Sequence, residues 1–148
     1  MEFTGTQLIP QPQERTWAAI TDPEVLKLCI PGCDSMTKVT DDQYDLVMTA
    51  KVGPVSAKFK GKITLADVMP PDRYRLVFEG QGGVAGFAKG EAQVGLAPEG
   101  SGTRLSYSAQ ATIGGKLAQV GQRLVDGVAK KTAEAFFERF NAHLSQKT

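Results

Sequence analysis

From Gly114-Gly115 onward the chain repeats apolar residues at intervals of three and four, without a proline to its end. One line runs Leu124, Val128, Phe136, Phe140 and Leu144, with Thr132 in its gap, and a second runs Leu117, Gly121, Val125, Ala129, Ala133 and Phe137 beside it. Such spacing predicts an amphipathic helix. If continuous it is about 45 Å long, well beyond the mean of about three turns, so the rest of the chain is expected to pack against it.

Upstream the pattern is different. Residues 2–9 alternate, Phe3, Gly5, Gln7 and Ile9 against Glu2, Thr4, Thr6 and Leu8, which predicts an opening strand. Pro10 and Pro12 end it and start a short helix through Trp17, Ala18 and Ile20, with Pro12 near its first position. That helix stops at Asp22-Pro23, because a residue before proline is pushed out of the α region. A second short helix is expected from Glu24 to Cys29, closed by Pro31-Gly32. From Ser35 to Ile113 alternation takes over. Tyr44, Leu46, Met48, Ala50 and Val52 share one strand face; Val55, Ala57, Phe59, Gly61, Ile63 and Leu65 share the next, after a turn at Gly53-Pro54. Met69 to Asp72 makes another turn, and Tyr74, Leu76 and Phe78 then oppose Arg73, Arg75 and Glu79. A glycine-rich link from Gly80 to Gly86 leads to a strand around Ala88 to Leu96. The turn Pro98 to Gly102 leads to a last strand, Leu105, Tyr107, Ala109, Ala111 and Ile113 inward. Strands with one apolar and one polar face suit an antiparallel sheet with one wet side. The expected class is α+β: a curved antiparallel sheet of six to seven strands, two short helices after the first strand, and a long C-terminal helix closing the dry face.

Composition narrows the function classes. At 148 residues, one domain over 1–148 with a substantial core is expected. A net charge of +1 gives no global attraction to nucleic acid, and no run approaches the roughly 18 apolar residues of a membrane span. Met1 to Thr4 does not begin a secretory signal, and Gln146-Lys147-Thr148 is not a lipidation motif, so a cytoplasmic location is expected. Cys29 and Cys33, with the only histidine far off at His143, fall short of a four-ligand zinc set. Their three-residue separation also differs from the usual redox pair, and buried or half-buried structural thiols are expected.

No catalytic set is visible. Asp41-Asp42, Asp72 and Glu99 fall in turns, Ser106 and Ser108 face the wet side, and no nucleophile, base and orienting group converge. The glycines of residues 80–86 lead into a strand rather than a helix N-terminus, unlike a phosphate loop. With Phe87 beside it, that link is expected to be a mobile hairpin able to gate a cavity or touch a membrane. Ala50, Ala57, Gly61, Ala109, Ala111 and Gly121 put small residues on both walls, and Gly121 and Gly127 each cost a helix about 1 kcal/mol against alanine. Close packing or room for a ligand would offset that cost. An apolar ligand cavity is expected, lined by Met48, Phe59, Leu76, Phe78, Leu105 and Tyr107 from the strands. Phe87 joins them from the link, and Leu117, Val120, Gly121, Leu124 and Val128 from the helix. Tyr107 and Tyr44 are its expected hydrogen-bond donors. On the outer face Lys58, Lys60 and Lys62, with Lys51 across the turn, guard a sheet against aggregation or attract anionic lipid or an acidic partner, at about 1 kcal/mol each near a membrane.

Several stretches are similar to the G-subunit family of carbon monoxide dehydrogenase, within the START-like, helix-grip superfamily (SRPBCC). They are Ile30-Pro31-Gly32-Cys33, Val52-Gly53-Pro54-Val55, Phe59-Lys60-Gly61-Lys62, Gly86 to Gly90 and Gly114 to Gly121, in order along the chain. The resemblance implies a non-catalytic accessory protein of molybdenum hydroxylases, carbon monoxide dehydrogenase type. It would help recruit the enzyme to the inner face of the cell membrane, or couple it to the quinone pool. It also implies a quinone or other lipid-like molecule in the grip cavity and no covalent cofactor. A cyclase- or hydrolase-like enzyme on the same fold, and an interaction module with a filled core, are the other readings. The two helical lines each drift about 40° per four residues, so the stripe winds round the axis. The half from Leu117 to Val128 is expected to lid the cavity. The aromatic half, Phe136, Phe137 and Phe140, is expected to plug onto Trp17 and the opening strand, or to leave Phe137 exposed for a partner.

Overall fold

A computed structural model describes residues 1–145; the tail Gln146-Lys147-Thr148, read above for lipidation, lies outside the described residues. Strand β1 (Glu2–Ile9) is followed by helices α1 (Gln13–Ile20) and α2 (Pro23–Cys29). Six strands then run consecutively: β2 (Cys33–Thr40), β3 (Gln43–Val52), β4 (Val55–Met69), β5 (Arg73–Gln81), β6 (Phe87–Glu99) and β7 (Gly102–Gly114). They form one seven-stranded antiparallel sheet in the order β1-β7-β6-β5-β4-β3-β2. Each neighbouring pair from β2 to β7 is joined by a short turn, as sequential alternation requires. The first strand instead lies at the far edge beside β7, Glu2 opposite Gln110 and Ile9 opposite Thr103. Thus α1 and α2 carry the chain from one edge of the sheet to the other.

Local chemistry sets those helices. Asp22 caps α2 by accepting from the Glu24 amide at 2.9 Å, with Pro23 at its first position. Pro12 sits one place earlier than expected, as the N-cap of α1 with an extended ψ of 156°. The Gln13 side-chain amide donates to the Pro71 carbonyl at 3.1 Å and to Asp72 at 3.0 Å, fastening α1 to the β4–β5 turn. At the other end of the fold, Arg15 donates to the Leu144 carbonyl at 2.8 Å and satisfies one of the orphan groups of the last helical turn.

The C-terminal helix is not continuous. A short helix α3 (Lys116–Gln119) ends at Val120, and α4 (Gln122–Ser145) begins after Gly121, whose φ is +98°. A glycine adopts that conformation at little cost where other residues are strained. The expected helix of about 45 Å is therefore one of 24 residues, about 36 Å. Its loss reflects backbone conformation, to which apolar spacing is blind. At Gly127 neither packing nor a positive φ calls for glycine.

The core is in two parts. The larger joins Ile9, Ile20, Val25 and Cys29 to strand residues such as Ile63, Leu65 and Leu105, and to Phe137, Phe140 and Leu144 of α4. The smaller gathers Val52, Phe59, Ala85, Leu117 and Val125 at the opposite end of the molecule. Both cysteines are free thiols, Cys29 buried and Cys33 donating to the Ser35 carbonyl at 3.4 Å.

Candidate functional site: a cavity beneath the last helix

Within the larger core cluster the sheet and the middle of α4 stand apart. They enclose a cavity of about 930 Å³, room for about thirty water-sized units and near the top of the range for ligand pockets. Its floor is the inward face of the strands, Ile63 and Leu65 of β4, Leu76 and Phe78 of β5, Val94 of β6 and Leu105 of β7 among them. The roof is the middle of α4, where Ala129 and Ala133 stand one turn apart before Phe136 and Phe137. Two alanines on the inward stripe are too small to reach the floor, and the void follows from them. Ile20, Leu26, Ile30 and Pro31 close the end under α1 and α2. The exposed part of the lining is Glu2 and Thr4 of edge strand β1 with Lys130 and Glu134 of α4, which marks the mouth.

Few polar groups reach the interior, and most are already engaged. Thr21 donates its hydroxyl to the Trp17 carbonyl at 2.8 Å, and Thr132 to the Val128 carbonyl at 2.8 Å. Tyr107 stacks on Phe137 with ring centroids 5.9 Å apart. Its ring crosses the paired strand at Gly5, where a Cβ would lie 2.5 Å from the phenol oxygen. Tyr74 is held edge-on by Trp17 at 5.4 Å and is only 4% exposed. Its hydroxyl has no hydrogen-bond partner among the described residues, yet it lines the cavity. Burial pushes its pKa well up, with Tyr44 adding to the shift, so it is a neutral donor.

The site residues expected from the sequence divide between the two ends. Leu76, Phe78, Leu105 and Tyr107 line the cavity. Met48, Phe59, Leu117, Val120 and Val128 belong instead to the smaller core cluster, which also takes up Ala50 and Ala57. Phe87 lies across Gly114 beneath the Lys89 ammonium, 5.9 Å from its ring centroid. Gly121 is the helix break, and Leu124 is 39% exposed against Gly53. The half of the helix expected to lid the cavity is thus packed, and the lid is the stretch from Ala129 to Phe137. Phe137 is buried rather than exposed for a partner. The expected donor Tyr44 is occupied by the Thr21 carbonyl, 3.1 Å away, and lies outside the lining. Tyr74 was legible as an inward residue of β5, but its missing partner is a three-dimensional fact.

Elsewhere, the glycine link forms a 3-10 turn at Gly83–Ala85, with Ala85 buried and Val84 facing solvent. Lys51, Lys58, Lys60 and Lys62 are all exposed on the outer face. Lys62 stands between Asp45 of β3 and Glu79 of β5, so carboxylates offset part of the ladder. Among the described residues no group of histidine, cysteine and carboxylate side chains is placed to hold a metal, and no helix is long and apolar enough to cross a membrane.

A seven-stranded antiparallel sheet gripping a C-terminal helix over an apolar cavity defines a START-like, helix-grip protein. The chain belongs to the CoxG family, that of the carbon monoxide dehydrogenase G subunit, whose model matches residues 5–145. Among solved structures, a conserved protein from Geobacillus kaustophilus shares 31% identity with a TM-score of 0.92, the match covering 99% of this chain and 96% of that one. A START superfamily protein from Mycobacterium smegmatis shares the fold at 16% identity and a TM-score of 0.75, covering 99% of each chain. A protein from Thermus thermophilus does so at 18% and 0.74, covering 100% of this chain and 99% of that one. No curated protein matches the chain.

Proposed function

We propose that this protein binds a hydrophobic, quinone- or lipid-like molecule between its sheet and α4, without catalysing a reaction on it. In this reading it serves a molybdenum hydroxylase of the carbon monoxide dehydrogenase type, at the inner face of the cell membrane, recruiting it or coupling it to the quinone pool. The observation that carries the reading is the cavity of about 930 Å³ with its largely apolar lining; filling it with solvent alone would forgo the gain from burying apolar surface. The buried lining supports a binding role over a cyclase or hydrolase. It offers phenols, threonines and the Gln7 amide, and its carboxylates, Glu2, Asp126 and Glu134, stand on the β1 and α4 side where the mouth lies. Acid–base work would want such groups inside, with pKa values set by burial. A filled-core module is disfavoured by the void itself. The family name supports the choice of partner enzyme, and the exposed Lys51, Lys58 and Lys60 suit a transient, salt-sensitive contact with that partner or with anionic lipid.

Native mass spectrometry tests it. Protein purified without detergent, or incubated with a short-chain ubiquinone, is expected to carry one ligand mass per chain. A chain that emerges empty from both preparations would overturn the proposal.

A further inference from the structure

Tyr74 differs from the other polar groups of the cavity. The threonine hydroxyls of Thr21 and Thr132 are bonded to their own helices, and Gln7 and Tyr107 are half-buried, within reach of solvent. Tyr74 is nine-tenths buried and more, lines the void, and has no protein partner for its hydroxyl among the described residues. Its oxygen is not one of the sealed, unpartnered side-chain atoms, so the hydroxyl opens onto the void, and polar groups in such a place seldom go without a partner. The acceptor it lacks would come from whatever fills the cavity.

The charges around the cavity restrict that acceptor. Among the described residues, the only cationic side chain in the lining is Lys130, which is exposed and has Asp126 and Glu134 one turn to either side. A carboxylate or phosphate carried inward would pass Glu2 and those two acids, and would find no buried cation to offset its desolvation. A phenol whose pKa burial has raised stays protonated and offers one hydrogen bond to a neutral oxygen.

We infer that Tyr74 is the specificity-determining contact of the cavity and selects uncharged ligands bearing an acceptor oxygen, such as ketones, quinones or esters, over fatty acids and other anionic lipids. This rests on the proposed ligand-binding function and narrows it to a chemical class. One net hydrogen bond corresponds to about a tenfold change in affinity.

The test compares three probes of one chain length, 2-dodecanone, dodecane and dodecanoate, on the full chain and on Tyr74→Phe, by displacement of a fluorescent apolar reporter at pH 7.5. Tyr74→Phe is expected to weaken 2-dodecanone about tenfold and to leave dodecane unchanged or tighter. Dodecanoate is expected to bind the unmodified protein at least tenfold more weakly than the ketone. Isotope-edited infrared gives a readout that needs no variant: the carbonyl of bound 2-[¹³C]dodecanone is expected at lower frequency than in hexane, with the shift lost in Tyr74→Phe. If the probes bind but the ketone is insensitive to Tyr74→Phe with an unshifted carbonyl, or dodecanoate binds best, this inference fails while the cavity reading stands. If neither these probes nor a quinone binds, both fail.

Discussion

Thr103 has no exposed surface, and its hydroxyl donates to the Gln11 carbonyl at 2.7 Å, close to Thr16, which is equally buried and bonded to the Pro12 carbonyl at 3.0 Å. These two small side chains tie the turn after β1 to the start of β7. Replacing the hydroxyl with a methyl group of nearly equal volume would leave a buried carbonyl short of its main donor. Thr103→Val is therefore expected to cost about 1–3 kcal/mol, read as a lowered urea midpoint with an unchanged slope. None of this was legible in the sequence, where Thr103 follows a glycine in a turn. A hydroxyl's partner depends on which strand lies opposite, and that pairing spans most of the chain. Tyr74 illustrates the same limit: alternation put it on the inward face, while only the assembled walls show that nothing answers its hydroxyl.

Among the elements, strands were easier to read than the helix. Period-two alternation in β3, β4, β5 and β7 agrees with the observed burial, because each has a wet face and a dry one. The last helix misled for an instructive reason. Leu117, Gly121 and Val125 keep the four-residue step across the break, so periodicity runs on where the backbone does not. The glycine itself was the signal, since nothing crowds it and its positive φ is the structural reason for its presence. Gly121→Ala is expected to destabilise the fold by about 1–2 kcal/mol, measured by urea unfolding. No loss would mean that α3 and α4 can join without strain. The break also redirected the site. It lets Leu117 fold into the smaller cluster while Ala129 and Ala133 pass over the open floor, so the lid lies further along the helix than expected, while the aromatic half still packs with Ile9 and Trp17.

At the level of the whole molecule, the family and fold were readable because their signals are spread along the chain, whereas the cavity's position depended on where the larger cluster leaves the sheet and α4 apart. The buried titratable groups also make a collective prediction. Burial raises the pKa of Cys29, Cys33, Tyr44 and Tyr74 above the ordinary 9.0 for a thiol and 10.0 for a phenol. The unfolded chain releases those protons at the ordinary values, and the folded chain only at higher pH. Their contribution is thus complete below about pH 9 and shrinks as pH rises through the raised values, since the unfolded state then binds fewer protons. Urea midpoints are expected to hold steady from about pH 7.5 to 9 and to fall progressively beyond. A midpoint that rises there would contradict the burial of these groups.

The pairing of β1 with β7 has a consequence in time. Its partners, Thr103 to Gln110, are made about a hundred residues after it, which at about 5–20 residues per second is a wait of about 5–20 s. Meanwhile β2 to β7 can pair in turn, each with the strand just made. The sheet's floor therefore stands uncovered while the first strand and the last helix are still unplaced. Those two elements are the jambs of the cavity's mouth, so the doorway is the last part of this protein to be built.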